Sequence, residues 1–218
     1  MTASRMTSRA PGFTLIELLL AISILAVIAV LGWRGLDSII RSRATLTADM
    51  EQTRGMQLAF AQLQSDCENL AIGALVHNRA FIQAEDGRIT LVRMVMAENQ
   101  PTQLQVVSYR VNADGVLTRR ESAYTRELTQ LDSLWQAALS DTDPAAAVAL
   151  QASVQGMSMR FWVPGAGTIP TAANAGGWQA AAGVTTAGIT GLPTGMEVSL
   201  TLQGRQVPMV KSFLLGAL

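Results

Sequence analysis

The sequence predicts an α+β fold: a long N-terminal α-helix, with a membrane-spanning half and an amphipathic half, packed on an antiparallel β-sheet. Three observations predict it. From Gly12 to Trp33 there are 22 residues and a single charge, Glu17. No proline interrupts the chain between Pro11 and Pro101. After about residue 87 the apolar period shortens from three-and-four to two, the step from helix to strand. The 218 residues suffice for one sizeable core and are short for two full domains.

The apolar span comes first. At 1.5 Å per residue, 22 helical residues reach about 33 Å, one hydrocarbon thickness. A secretory signal would place its small-residue cleavage site after the apolar run. Here the small residue, Gly12, precedes it, so a cut at Gly12 keeps the run in the product. A plain uncleaved anchor explains the hydrophobicity equally well, but not Glu17. A carboxylate in an apolar span costs up to about 2.5–3.5 kcal/mol when central, and less near the interface. Glu17 either snorkels to the headgroups or awaits a positive charge from another subunit.

The segment Gly12-Phe13-Thr14-Leu15-Ile16-Glu17-Leu18-Leu19 resembles the type III signal of type IV pilins and pseudopilins. The resemblance implies a leader at residues 1–12, cut after Gly12 by a prepilin peptidase, and N-methylation of the new terminus, Phe13. It makes Glu17 the assembly carboxylate. Physics is consistent with that role. An ammonium and a carboxylate within about 4 Å attract strongly in low dielectric, and each relieves the other's desolvation. Such a pair sets the register of one subunit against the next. Arginines lie on both sides of the span, at Arg5 and Arg9 before it and Arg34, Arg41 and Arg43 after it. Orientation therefore rests on the resemblance, which puts the leader in the cytoplasm, rather than on the positive-inside rule.

Apolar or small positions continue at Leu46, Met50, Thr53, Met56, Phe60, Leu63, Cys67 and Leu70, in steps of three and four. Span and stripe together predict one helix from about Phe13 to Leu70. The expected organisation is a transmembrane or filament-core helix at 13–38 and a periplasmic globular domain at 39–218 that includes the outer half of the helix. Gly32 and Gly35 each weaken the join by about 1 kcal/mol relative to alanine. They serve either a bend or close packing. Cys67 falls on the stripe as a small core residue.

A loop is expected from His77 to Gly87. Arg88–Met96 alternates, with a second apolar set on its opposite side. Leu104–Val111, Asn112-Ala113-Asp114-Gly115 and Val116–Glu121 form a hairpin signal, with Asp-Gly supplying the turn. Leu128–Leu139 reads equally as a short helix or a loop, with Trp135 packed inward. Met157–Val163 is a further strand. Pro164–Gly195 lacks charge and is rich in Gly, Ala, Thr and Pro, so a long exposed loop is expected. Glu197–Leu202 and Val207–Leu215 close the sheet. The Val111–Arg120 hairpin, Met159-Arg160-Phe161-Trp162, Trp178, Leu192-Pro193 and Gly32-Trp33-Arg34-Gly35-Leu36-Asp37 resemble the J-type minor pseudopilin of type II secretion. That resemblance implies a pilin-like fold, though the 164–195 segment is long for it.

Composition excludes some functions. Formal charge is zero, and loss of Arg5 and Arg9 with the leader leaves 14 basic and 16 acidic side chains. No basic stripe invites nucleic acid. Cys67 is the only cysteine, so no intrachain disulfide can form. No phosphate loop, nucleophile elbow or zinc motif is present. His77 is expected as a solvated loop histidine. Glu127, Asp132, Asp141 and Asp143 lack calcium-loop spacing and are expected as a solvated acidic face. Arg119, Arg120 and Arg126 form a small basic cluster balanced by Glu121 and Glu127. No catalytic residue, cofactor, metal or small-molecule substrate is expected. The expected function is a structural subunit in the tip complex of a type II secretion pseudopilus, anchored in the bacterial inner membrane with its globular domain in the periplasm. By resemblance its partners are the I- and K-type minor pseudopilins, the major pseudopilin and the prepilin peptidase. The alternative is a minor pilin that primes or caps a type IV pilus. A membrane-tethered enzyme and a DNA-binding module are disfavoured.

Overall fold

The computed structural model describes residues 12–71, 73–77, 79–96, 98–142, 144–165, 176–181, 184–185 and 192–216. The expected long helix is α1 (Leu15–Glu68). Its start is fixed by a capping box. The backbone N–H and hydroxyl of Thr14 donate to Glu17 Oε2 at 3.0 and 2.9 Å, and Glu17 N–H donates to Thr14 Oγ1 at 3.3 Å. Two orphan donors of the first turn are thereby satisfied. At the other end, Asn69 Nδ2 donates to Ser65 O at 2.8 Å, and Gly216 N–H donates to Cys67 O at 2.9 Å.

The chain divides into two compact units, Met1–Glu51 and Gln52–Leu218. Within the described part of the first, α1 is long and apolar enough to cross a membrane, and its residues are unburied. Leu46 and Met50 are 62% and 71% exposed, and Thr53 is exposed as well. The expected burial of the whole stripe is therefore wrong at its first three positions. Helical periodicity specifies which side chains share a face, not which of them are covered. Burial on α1 begins at Met56 and includes Ala59, Phe60, Leu63, Asp66 and Cys67.

Among the described residues the second unit adds α2 (Gly73–Val76), α3 (Leu128–Leu139) and ten strands. These are β1 (Ile82–Glu85), β2 (Arg88–Val95), β3 (Gln103–Val111), β4 (Leu117–Glu121), β5 (Val148–Gln151), β6 (Val154–Val163), β7 (Gly177–Ala180), β8 (Val184–Thr185), β9 (Gly195–Leu202) and β10 (Met209–Leu214). They form a six-stranded sheet, β5-β4-β3-β2-β1-β8, and a four-stranded sheet, β10-β9-β6-β7. The strand pairs are antiparallel.

Both faces of the larger sheet are covered. Arg93, Tyr109 and Arg119 on one face bond to Asp66 of α1. On the other, Arg88 donates to Ala138 O of α3, whose Leu131, Trp135 and Ala138 are buried. This explains the second apolar set on β2, where Thr90 and Val92 are as buried as Ile89 and Leu91. The ambiguous segment at 128–139 is thus a helix, with Trp135 inward as expected. Among the described residues the smaller sheet buries one face only, and β6 alternates along most of its length.

Several expectations change. The 77–87 loop contains β1, which returns into β2 through Asp86-Gly87. The β3–β4 connection is wider than an Asp-Gly turn and runs from Asn112 to Val116. Asn112 Oδ1 accepts from Asp114 and Val116 N–H at 3.1 and 2.8 Å, and Gly115 adopts φ 70°. A Cβ on Gly115 would also lie 3.0 Å from Val154 O, so this position needs glycine. The expected 164–195 loop includes β7, paired with β6, and β8, paired with β1. Residues 166–175, 182–183 and 186–191 lie outside the described residues.

Leu63, 4% exposed, sits amid the buried stretch of α1. Leu63→Ala is expected to cost about 2–5 kcal/mol through a cavity. Urea denaturation of a chain truncated at Ile40 measures it, and a loss below about 1 kcal/mol would show that the site collapses freely.

Candidate functional site: the processed N-terminus and a buried charge cluster

The residues expected to carry processing and assembly sit at the start of α1. Gly12 is open, with nothing within 4 Å of the place a Cβ would take. Phe13 is 90% exposed. Glu17 lies in the first helical turn, on the exposed surface of the chain. The two nearest polar partners of its carboxylate, the N–H and hydroxyl of Thr14, belong to its own chain. A single subunit can therefore hold Glu17 hydrogen-bonded, with no opposite charge beside it among the described residues. Thr14 is the participant that the sequence reading omits. Its signal is present there, because Thr-x-x-Glu ahead of an apolar run is a capping box.

A second arrangement centres on Asp66, which the sequence expectations do not single out, and takes in the expected pair of Arg119 and Glu121. Asp66, fully buried, accepts four hydrogen bonds on two oxygens. Arg119 grips it in a fork, Nε to Oδ2 at 2.7 Å and Nη2 to Oδ1 at 2.9 Å. Arg93 Nη1 donates to Oδ1 at 2.9 Å, and the Tyr109 hydroxyl to Oδ2 at 2.5 Å. Glu121 takes a further bond from Arg119 Nη1. Two arginines and two carboxylates thus balance within the cluster. Polar satisfaction continues outward, from Arg93 Nε to Gln105 Oε1 at 2.9 Å and from Gln105 Nε2 to Ser122 O at 2.8 Å. Asp66 belongs to α1, Arg93 to β2, Tyr109 to β3 and Arg119 to β4. One carboxylate ties the helix to three adjacent strands.

This geometry holds protons rather than transferring them. Burial, then the charge of Asp66, pushes the Tyr109 phenol far above its ordinary range. Burial works against the Arg119 cation, but its bonds to Asp66 and the charge of Asp66 prevail and raise it. The Cys67 thiol is pushed up by burial first, then by Asp66 and Glu68, so it is poorly placed to act as a nucleophile.

Folding raises the pKa of both Tyr109 and Cys67, so the stability they contribute is fully present below their unfolded values. Above about pH 8.5 for the thiol and about pH 10 for the phenol, only the unfolded chain loses these protons. Stability is then expected to fall, at a limiting slope of about 1.4 kcal/mol per pH unit for each group. Urea midpoints measured from about pH 7 to about pH 10.5 test this, and Cys67→Ala should remove the earlier decline. A flat profile across that range would show that neither group stays protonated by folding.

The expected basic cluster divides. Arg119 points to Asp66, whereas Arg120 crosses to the opposite sheet face and pairs with Asp141 at 3.0 Å, where Arg110 also pairs. Asp141 follows α3 with φ 62°, and the Ala138 carbonyl accepts from Arg88. Cations therefore complement the negative end of the helix. Burial, then the charge of Arg110, lowers the pKa of Arg88 there. Two members of the expected acidic face have cationic partners, Asp141 in this cluster and Asp132 through Arg79 at 2.8 Å. Glu127 occupies the N-cap position of α3 without a side-chain cap, and Asp143 lies outside the described residues. His77 is exposed in the turn after α2.

Comparison with known proteins gives two family matches. The model described as type II secretion system (T2SS), protein J, matches residues 34–214. The model described as prokaryotic N-terminal methylation motif matches residues 7–33. Over 210 residues the chain is 26% identical to the type II secretion system protein J of Klebsiella pneumoniae, covering 91% of each protein.

Proposed function

The chain belongs to the type II secretion system protein J family, the minor pseudopilins of that system, and on that footing we propose that it occupies the tip complex of the pseudopilus. The observation that carries the reading is the family match across residues 34–214, joined directly to the methylation motif at 7–33. The motif is common ground with type IV pilins. The match over the globular part favours secretion over the alternative of a surface pilus.

In this reading the protein is a structural component of the secretion system, assembled with other pseudopilins. It is held in the inner membrane by α1, with the unit Gln52–Leu218 in the periplasm. Prepilin peptidase removes residues 1–12, and Phe13 becomes an N-methylated terminus. Its ammonium and the Glu17 carboxylate of a neighbouring subunit form the pair that fixes assembly register. The I- and K-type minor pseudopilins are its immediate partners and the major pseudopilin continues the filament.

Mass spectrometry of the N-terminus of the purified protein is expected to show a start at Phe13 carrying one methyl group. An intact leader, or a start beyond Trp33, would overturn the processing assignment. Light scattering of the soluble domains, mixed with I- and K-type domains, is expected to give a heteromer. A chain that ignores them and joins type IV minor pilins would move the function to a surface pilus.

A further inference from the structure

The outer edge of β10 has a register that a second copy of the same strand can complete. Among the described residues, strand β10 lies at one end of its sheet and pairs with β9 alone. Leu215 N–H donates to Thr194 O at 3.0 Å, which continues the β9–β10 register by one residue. In an antiparallel ladder the residues bonded to the neighbour alternate with those facing away. Met209, Lys211 and Phe213 therefore bond inward to β9, and the backbones of Val210, Ser212 and Leu214 face outward.

The free stretch is closed at both ends. At position 208 the outward-facing residue is Pro208, which has no N–H to give. At position 216 the outward N–H of Gly216 is taken by Cys67 O at 2.9 Å. Among the described residues three open positions remain, centred on Ser212. Beside them runs a groove of about 580 Å³, lined by Gln64, Glu68, Asn69, Ser212, Phe213 and Leu214 among others. The edge carries few of the usual safeguards against pairing. Val210 and Leu214 are 53% and 63% exposed, and the one charge, Lys211, is turned to its own Gln64 Oε1 at 3.0 Å.

We propose that β10 pairs antiparallel with β10 of a second copy of this chain, about a two-fold axis at Ser212. In that register Ser212 meets Ser212 and exchanges two backbone hydrogen bonds. Val210 meets Leu214 on each side of the axis, apolar against apolar, and exchanges two more per pair. Lys211 falls opposite an aromatic ring, Phe213, rather than opposite another cation. The strand is thus complementary to itself in backbone bonding and hydrophobicity, and no like charges oppose one another, as an isologous contact requires. This association is separate from the filament contacts of α1, and its test reads a covalent link rather than secretion. It can fail while the family function stands.

Full-length Ser212→Cys protein in native membranes, treated with a mild oxidant, is expected to form a disulfide-linked dimer. Opposed residues of a bonded pair lie about 5.5 Å apart at Cα, within disulfide range. Val207→Cys is the control. Val207 is readily accessible, at 75% exposed, but its two copies would lie about 33 Å apart along the paired strands. Dimer from the Ser212→Cys protein should exceed that from Val207→Cys several-fold, and adding Val210→Lys to Ser212→Cys should abolish the excess. Equal yields from both variants would reveal random collision and overturn the proposal. So would the absence of any link in Ser212→Cys, or a link from it to a different protein, which would assign the edge to another chain's strand.

Discussion

Replacing Asp66 with alanine is expected to cost the folded unit about 3–5 kcal/mol, the scale for leaving a buried ion partner uncompensated. Asp66 is fully enclosed and the Arg119 side chain is 8% exposed. Without the carboxylate, Arg119 keeps Glu121 but loses both fork bonds, and the Tyr109 hydroxyl loses its 2.5 Å acceptor. Removing one member costs more than removing both, because the penalty is the stranded charge. The double variant Asp66→Leu with Arg119→Met should accordingly recover part of the loss. Asp66→Asn should fall between wild type and alanine, since it keeps an acceptor and much of the shape while losing the charge. Urea denaturation of the chain truncated at Ile40 measures each of these variants against the wild type. If Asp66→Ala loses less than about 1 kcal/mol, the cluster adds little to stability and serves some other end.

That cluster also shows where reading the sequence stops. Asp66 lies three residues after Leu63, and both are buried on α1. An acid at such a position signals a buried partner, but its partners are 27 and 53 residues away, on strands whose register no local pattern states. Arg119 and Arg120 are adjacent, and period two sends them to opposite faces. Only the sheet topology says that one face meets α1 and the other meets α3. The long helix, the β3–β4 hairpin and the closing strands were legible because each is announced within its own span. By contrast β1, β5, β7 and β8 have two to four residues each, too few for a period. They are strands because a neighbour offers an edge, as β1 does for β8. Leu46 and Met50 repeat the lesson in reverse. Their spacing is helical and apolar, yet both are exposed.

The N-terminal site is the most local feature of the molecule, and Gly12, Phe13, Thr14 and Glu17 sit within six consecutive positions. Locality made it readable and also leaves Glu17 with two separable jobs. One is the capping box with Thr14, which stabilises the start of α1. The other is the proposed pairing with the ammonium of a neighbouring Phe13. Glu17→Ala removes both. Glu17→Gln removes the charge and keeps a side chain that can still cap. The apolar span is otherwise untouched in either variant, so membrane insertion and cleavage after Gly12 should survive. Assembly into the filament should fall by about an order of magnitude or more in both, because an uncharged residue gives the buried ammonium no counter-ion. Co-purification of each full-length variant with the other pseudopilins measures this, with leader removal scored on the same samples. Normal assembly of Glu17→Gln beside failure of Glu17→Ala would assign the residue to helix capping alone. Normal assembly of both would leave Glu17 a headgroup-facing residue with no part in the filament.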